Sequence, residues 1–291
     1  MKFEHSTRVP HGHAELLQLI ILEKAHLDRA RSFLAENYDL QFELTEKMAE
    51  KGHQKIYATG TDNLLLVGIG EPSYPHEAVR RAVASGVSFA NDYGFKNLFI
   101  YASHPPEDGA GQFVTAMVEA ASLANYQFLA YKSEPHNNSL EVVQLYSRTS
   151  EDSLYMARGE RIARATNIAR DLVNEPLITL TAEEIAKRCE QYGEEFGFDV
   201  EVFNKARIKA LKMGGLLAVN SGSIDPPTFT VMEWKPEGAQ NETPVVLVGK
   251  GVGYDTGGLS LKPTANSMDM MKCDMAGAAA VIGAIVGVSA L

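Results

Sequence analysis

The chain has 291 residues, of which 45% are hydrophobic and 22% charged, with a formal net charge of −10. That balance fits a soluble globular protein long enough for two domains. Its dispersed acids argue against nonspecific binding to nucleic acid or to an anionic membrane surface.

No apolar run approaches the ~20 residues that a membrane helix needs, and the N-terminal stretch lacks the apolar core of a secretory signal. The two cysteines, Cys189 and Cys273, lie far apart. They are read as reduced thiols of a cytoplasmic protein.

Residues 1–60 are weakly patterned. Leu16 to Leu22 reads as a strand or the start of a buried helix, and the mixed stretch after Lys24 as partly helical. His11-Gly12-His13 would make half of a metal site; with no third ligand in view it reads as a surface pair. From Asn63 onward the alternation is plain. LLLVGIG is a buried strand, residues 75–94 a helix, NLFIYAS a strand and residues 111–126 a helix, while FLAYK and LEVVQLYS are expected as further strands. Strand and helix in alternation mean an α/β layer with a largely parallel sheet. Gly68-Ile69-Gly70 lacks the third glycine of a dinucleotide fingerprint and is followed by Glu71, so it reads as an ordinary turn.

The polar stretch 147–155 is a plausible linker, giving an N-terminal α/β domain at 1–150 and a second domain at 151–291. A helix follows and stops at Asn174-Glu175-Pro176; its Arg158, Arg161, Arg164 and Arg170 read as a solvated or interface face. Thr181 and Glu184 have the spacing of a capping box. Residues 198–204 read as a strand, 206–215 as a short helix and 226–235 as an edge strand. The apolar run Val245 to Val248 is expected to be a buried strand, with a glycine-rich loop after it and a small-residue helix from Gly277 to Gly287.

That loop gathers Lys250, Asp255, Lys262, Asp269, Lys272 and Asp274 among five glycines. A phosphate-loop reading fails, because Gly251 follows the lysine where Ser or Thr is required. Two readings remain on residue type alone. Asp255 and Asp274 suit divalent metal ions, one of them as a bridge, while a lysine joins as a ligand only when its amine is neutral. The other reading is a loop of surface salt bridges.

The run from Gly249 through Asp255, Thr256, Gly257 and Gly258 to Lys262, followed by Met268-Asp269-Met270-Met271-Lys272-Cys273-Asp274, resembles the leucyl aminopeptidase family of dinuclear metallopeptidases. Arg170-Asp171-Leu172-Val173-Asn174-Glu175-Pro176 resembles the segment that opens that family's catalytic domain. The resemblance implies a smaller N-terminal α/β domain followed by the first part of an α/β catalytic domain. It implies two divalent metal ions, manganese or zinc, with Lys250 a ligand, Asp255 bridging, and Asp274 on the same ion as Lys250. Lys262 takes the place of the catalytic lysine that polarises the scissile carbonyl. Met271 lines the pocket for the substrate's first side chain, so the expected activity is release of apolar N-terminal residues such as leucine from peptides by metal-activated water. A cytoplasmic homo-oligomer, a hexamer in the family, is implied, with peptide substrates and no nucleic-acid or membrane partner. Lys272 is expected to face solvent.

The sequence departs from the family pattern at Thr256, where Ser is usual, and at Gly253, and it carries an extra residue near Ser267. The family's remaining carboxylate ligands and its catalytic arginine lie in an Asn-Thr-Asp-Ala-Glu-Gly-Arg run that these residues do not contain. The stop at Leu291, close behind an apolar helix, suggests a fragment of such an enzyme that is inactive alone. The alternative is a non-catalytic α/β binding paralogue with an incomplete metal site.

Overall fold

The computed structural model describes residues 1–40, 42–59, 62–103, 110–146 and 151–291. The chain divides into two compact units, Met1–Ala163 and Arg164–Leu291.

The first unit is built on a six-stranded sheet. Its elements in chain order are β1 (Lys2–Ser6), β2 (Leu16–Glu23), α1 (Leu27–Asn37), β3 (Gln54–Thr59), β4 (Asp62–Gly70), α2 (Pro75–Asp92), β5 (Asn97–Ala102), α3 (Ala110–Ala124) and β6 (Val142–Tyr146). The strand order is β1-β6-β5-β2-β4-β3, and every pairing is parallel except that of β3 with β4.

The continuous apolar runs follow from burial on both faces. Leu17, Leu19 and Ile21 of β2 point into one core with α2 and α3, while Leu16, Ile20 and Leu22 point into another beneath α1. β4 and β5 split the same way: Leu65 and Ile100 lie on the first side, Leu66 and Phe99 on the second. One polar side chain interrupts β2. Gln18 is fully buried, and its amide donates to the Pro10 carbonyl at 3.0 Å and to Asp62 at 3.1 Å, while its carbonyl oxygen accepts from the Tyr38 hydroxyl. Satisfied in this way, it carries no desolvation penalty of an unpaired group. Asp62 also pairs with His11 at 3.0 Å, and that histidine lies at the surface.

Helix α4 (Asp152–Asn174) runs across the boundary between the units. The second unit continues with α5 (Ala182–Phe196), β7 (Asp199–Phe203), α6 (Lys205–Ala210), α7 (Gly214–Val219), β8 (Phe229–Glu233) and α8 (Ala276–Ala290). The Thr181 hydroxyl accepts from the Glu184 amide at 3.3 Å, and Gly197 closes α5 in the left-handed conformation, so this helix is capped at both ends. The Glu184 carboxylate turns to Arg188 instead of back to the cap, which leaves the capping box half made.

β7 and β8 form a two-stranded antiparallel sheet. Two small cores join α4, α5, β7, β8 and α8 through Leu172, Ile185, Cys189, Ala279, Ile282 and Val286. The small residues of α8 serve close packing: a Cβ on Gly283 would stand 2.9 Å from the Ala165 carbonyl oxygen of α4.

Four sequence expectations need correction. FLAYK is not a strand: Ala130 and Tyr131 form a turn and its other residues are irregular. Val245–Val248 is not a strand and is not buried; Val248 is 91% exposed. The glycine-rich loop therefore does not follow a strand end in this chain. β1 and β3 emerge from a region that looked unpatterned, since edge strands with one solvated side carry little apolar signal. Finally, Met268–Ala290 is one helical run, 3-10 and then α, that by length and composition alone is long and apolar enough to cross a membrane. The acids near its start break the apolar pattern in sequence but not the helical path.

Candidate metal centre

The glycine-rich loop is docked onto the first turn of α8 by backbone contact. The Ala278 amide donates to the Lys250 carbonyl at 2.9 Å. That approach needs glycine: a Cβ on Gly249 would lie 2.6 Å from the Ala278 Cα, and one on Gly277 would lie 3.0 Å from the Lys250 nitrogen. Further on, Gly257 takes a φ of 91°, a left-handed value that a side chain would strain. There the Lys262 amide donates to the Thr256 carbonyl at 2.9 Å, which folds Lys262 back beside Asp255.

Two ion pairs result. Lys250 Nζ lies 2.8 Å from Asp274 Oδ1, and Lys262 Nζ lies 3.1 Å from Asp255 Oδ2. The second oxygen of Asp255 accepts the Gly257 amide at 2.8 Å. That amide, then the Lys262 ammonium, holds the Asp255 carboxyl below its ordinary range. The Lys250 ammonium is held above its ordinary range by its hydrogen bond to Asp274, with added attraction from the charges of Asp274 and Asp255. Asp255 thus acts on both lysines, and the four side chains form one electrostatic cluster.

A 3-10 turn, Met268–Met275, presents Asp274. Asp269 folds its start by accepting the Ser267 and Asn266 amides at 3.0 and 3.3 Å, and the Tyr254 hydroxyl ties it to the loop by donating to the Met268 carbonyl at 2.6 Å. Three residues per turn eclipse positions i and i+3, so Met271 and Asp274 share one face of the turn. Met271 is half-buried there. Lys272 is exposed, as expected, and its ammonium also donates to the Asn174 carbonyl at 2.8 Å. Nothing in the sequence marks that partner, 98 residues away.

The donor chemistry fits a divalent cation in part. Asp274 Oδ2 is buried and has no hydrogen-bond partner, an acceptor lone pair aimed away from water and away from any donor. Among the described residues, no group of three or more His, Cys, Asp and Glu side chains converges as a metal site. Lys250, Asp255 and Asp274 therefore supply part of a ligand shell, and the fit extends to these three side chains only.

Comparison with known proteins identifies the family. Residues 167–291 match the catalytic domain of the cytosol aminopeptidase family, and residues 53–135 match that family's N-terminal domain. A probable cytosol aminopeptidase of Solibacter usitatus is 37% identical over 229 residues, 78% of this chain and 47% of that protein. One from Chlorobaculum parvum is 55% identical over 127 residues, 44% of this chain and 25% of that protein. Among solved structures, the bottromycin maturation enzyme BotP in complex with Mn superposes with a TM-score of 0.73 at 28% identity, covering 95% of this chain and 56% of BotP. A mutant of tomato leucine aminopeptidase superposes with a TM-score of 0.81 over 99% of this chain and 59% of its own; at 19% identity that likeness concerns the fold.

The fold is mixed α/β with a largely parallel sheet, like that of leucine aminopeptidase, and both the N-terminal and the catalytic domain of the family are represented. The chain belongs to the cytosol, or leucyl, aminopeptidase family. It spans about half the length, or less, of the curated relatives it matches.

Proposed function

We propose that these residues form the N-terminal domain and the first part of the catalytic domain, from about residue 151, of a metal-dependent aminopeptidase that releases apolar N-terminal residues such as leucine from peptides. The observations that carry this reading are the Lys250–Asp274 and Lys262–Asp255 pairs and the buried Asp274 Oδ2 that has no hydrogen-bond partner.

Lys250 and Asp274 would hold one divalent ion, with Asp255 shared between it and a second; the Mn in the BotP complex supports manganese, and zinc suits the same donors. Bound ions would supply Lewis acidity and a water acidified enough to act as nucleophile at neutral pH. Lys262, oriented by Asp255, donates to the scissile carbonyl oxygen as negative charge develops on it. Met271, on the same face as Asp274, contacts the substrate's first side chain and favours an apolar one. The family resemblance supports a cytoplasmic hexamer acting on peptides, with no nucleic-acid or membrane partner.

The Asn-Thr-Asp-Ala-Glu-Gly-Arg run is not among these residues, so the 291-residue chain is expected to hydrolyse leucine p-nitroanilide little or not at all with Mn or Zn. A chimera extended with the remaining part of the Solibacter relative tests the reading. It should turn the substrate over, and Lys262→Ala in it should abolish turnover while metal content stays near normal. Metal loss in that variant would reverse the roles of the two lysines. An inert, metal-free chimera that folds would favour the non-catalytic binding reading.

A further inference from the structure

We infer that Lys272 is a positioning residue of the metal centre: its bond to the Asn174 carbonyl at the end of α4 fixes the turn that aims Asp274. The inference rests on the reading of Asp274 as a metal ligand. Its basis is the pair of anchors on one face of the 3-10 turn.

With three residues per turn, Lys272 and Met275 are eclipsed. Met275 is fully buried with Leu172, Leu180 and Ile185, between α4 and α5. One turn earlier, Lys272 reaches the Asn174 carbonyl at 2.8 Å. That carbonyl belongs to the last turn of α4, where backbone oxygens lack intrahelical partners and the helix dipole favours a cation. One face of the turn is therefore held twice by the same helix, once by a charge-assisted hydrogen bond and once by apolar packing.

The receiving end is itself braced. Glu175, the next residue, accepts from Arg188 of α5 at 3.0 Å, and Arg188 also reaches Glu184 at 3.3 Å. The Glu175 carboxylate is almost wholly buried, so Lys272 grips a fixed point and not a fraying end. Asp274, by contrast, has one partner of its own, the half-exposed Lys250, and its other oxygen has none. Its direction is set by the backbone that carries it. That makes the anchor two residues earlier decisive for where the carboxylate points.

The test uses the 291-residue chain with Lys272→Met and Lys272→Arg, read by amide hydrogen exchange, thermal unfolding and calorimetric Mn titration. Lys272→Met should speed exchange of the Asp274, Met275 and Ala276 amides about tenfold or more, leave α5 and the six-stranded sheet unchanged, and weaken Mn binding by about tenfold, the usual effect of losing an outer-shell partner. Lys272→Arg, which keeps a cationic donor, should restore most of both. Unchanged exchange in Lys272→Met overturns the inference. So does faster exchange throughout the second unit, or a chain that no longer folds, since Lys272 would then hold the fold as a whole. Asp274→Asn separates this from the metal reading: if it leaves Mn binding as in the wild type, the ligand assignment fails while exchange still decides the anchor.

Discussion

The carbonyl of Lys250 accepts the amide of Ala278 at 2.9 Å, and with that bond the loop carrying one half of the cluster is seated on the helix that follows the other half. Lys250 and Asp274 are 24 residues apart, yet their side chains meet at 2.8 Å because two backbones approach where Gly249 and Gly277 leave room. The ion pair is a consequence of that docking.

Gly249→Ala should therefore undo it. The added methyl would meet the Ala278 backbone, which cannot move without shifting α8. The expected cost is about 1–3 kcal/mol of stability in a denaturant titration, together with loss of the Lys250–Asp274 pair in the variant's crystal structure. A variant of unchanged stability with the pair intact would mean the loop has another way to seat.

The pH behaviour follows from two opposite shifts. Asp255 is held low, so its contribution is complete above the ordinary carboxylate value and is lost as pH falls through its folded value. Lys250 is held high, so its contribution is complete below the ordinary lysine value and is lost as pH rises through its folded value. Both pairs stand in the neutral range. A lysine ligates only as a neutral amine, so Mn uptake near neutrality should displace the Lys250 proton, and affinity should rise with pH. Calorimetry in two buffers of different ionisation enthalpy reads that proton directly. Heats that do not depend on the buffer would remove Lys250 from the ligand set.

The thiols give an independent check on the second unit. Cys189, on the buried face of α5, is 1% exposed, and burial with the nearby Glu190 charge pushes its thiol up to about 11. Cys273 is half-buried on the 3-10 turn. A chromogenic disulfide reagent at pH 8 should label one thiol per native chain and two after denaturation, with mass spectrometry placing the native label on Cys273. Rapid native labelling of Cys189 would show that the core around Leu172 and Ile282 is open.

Much of this was legible because burial leaves a mark on sequence. Leu16–Leu22, Leu64–Ile69 and Leu98–Tyr101 are apolar at every step or nearly so, since both faces of the sheet are covered. The same signal misled at Phe128–Lys132 and Val245–Val248, which have strand composition but form no strand. Pairing is a property of two segments, and a single segment shows only its readiness for it. In the site, residue types left six charged candidates and two readings, and it was the family resemblance that singled out Lys250, Asp255, Lys262 and Asp274. The bond between Lys272 and Asn174 was hidden, because a lysine that caps a distant helix has the same spelling as one in solvent.

Val245–Val248 has a further consequence. Four consecutive apolar residues, three of them valine, stand in water without a charge or a proline among them. Such a stretch is a ready template for strand addition by another molecule. Self-adhesion of this chain would then proceed from the native state, and concentration more than temperature would govern how long it stays dispersed.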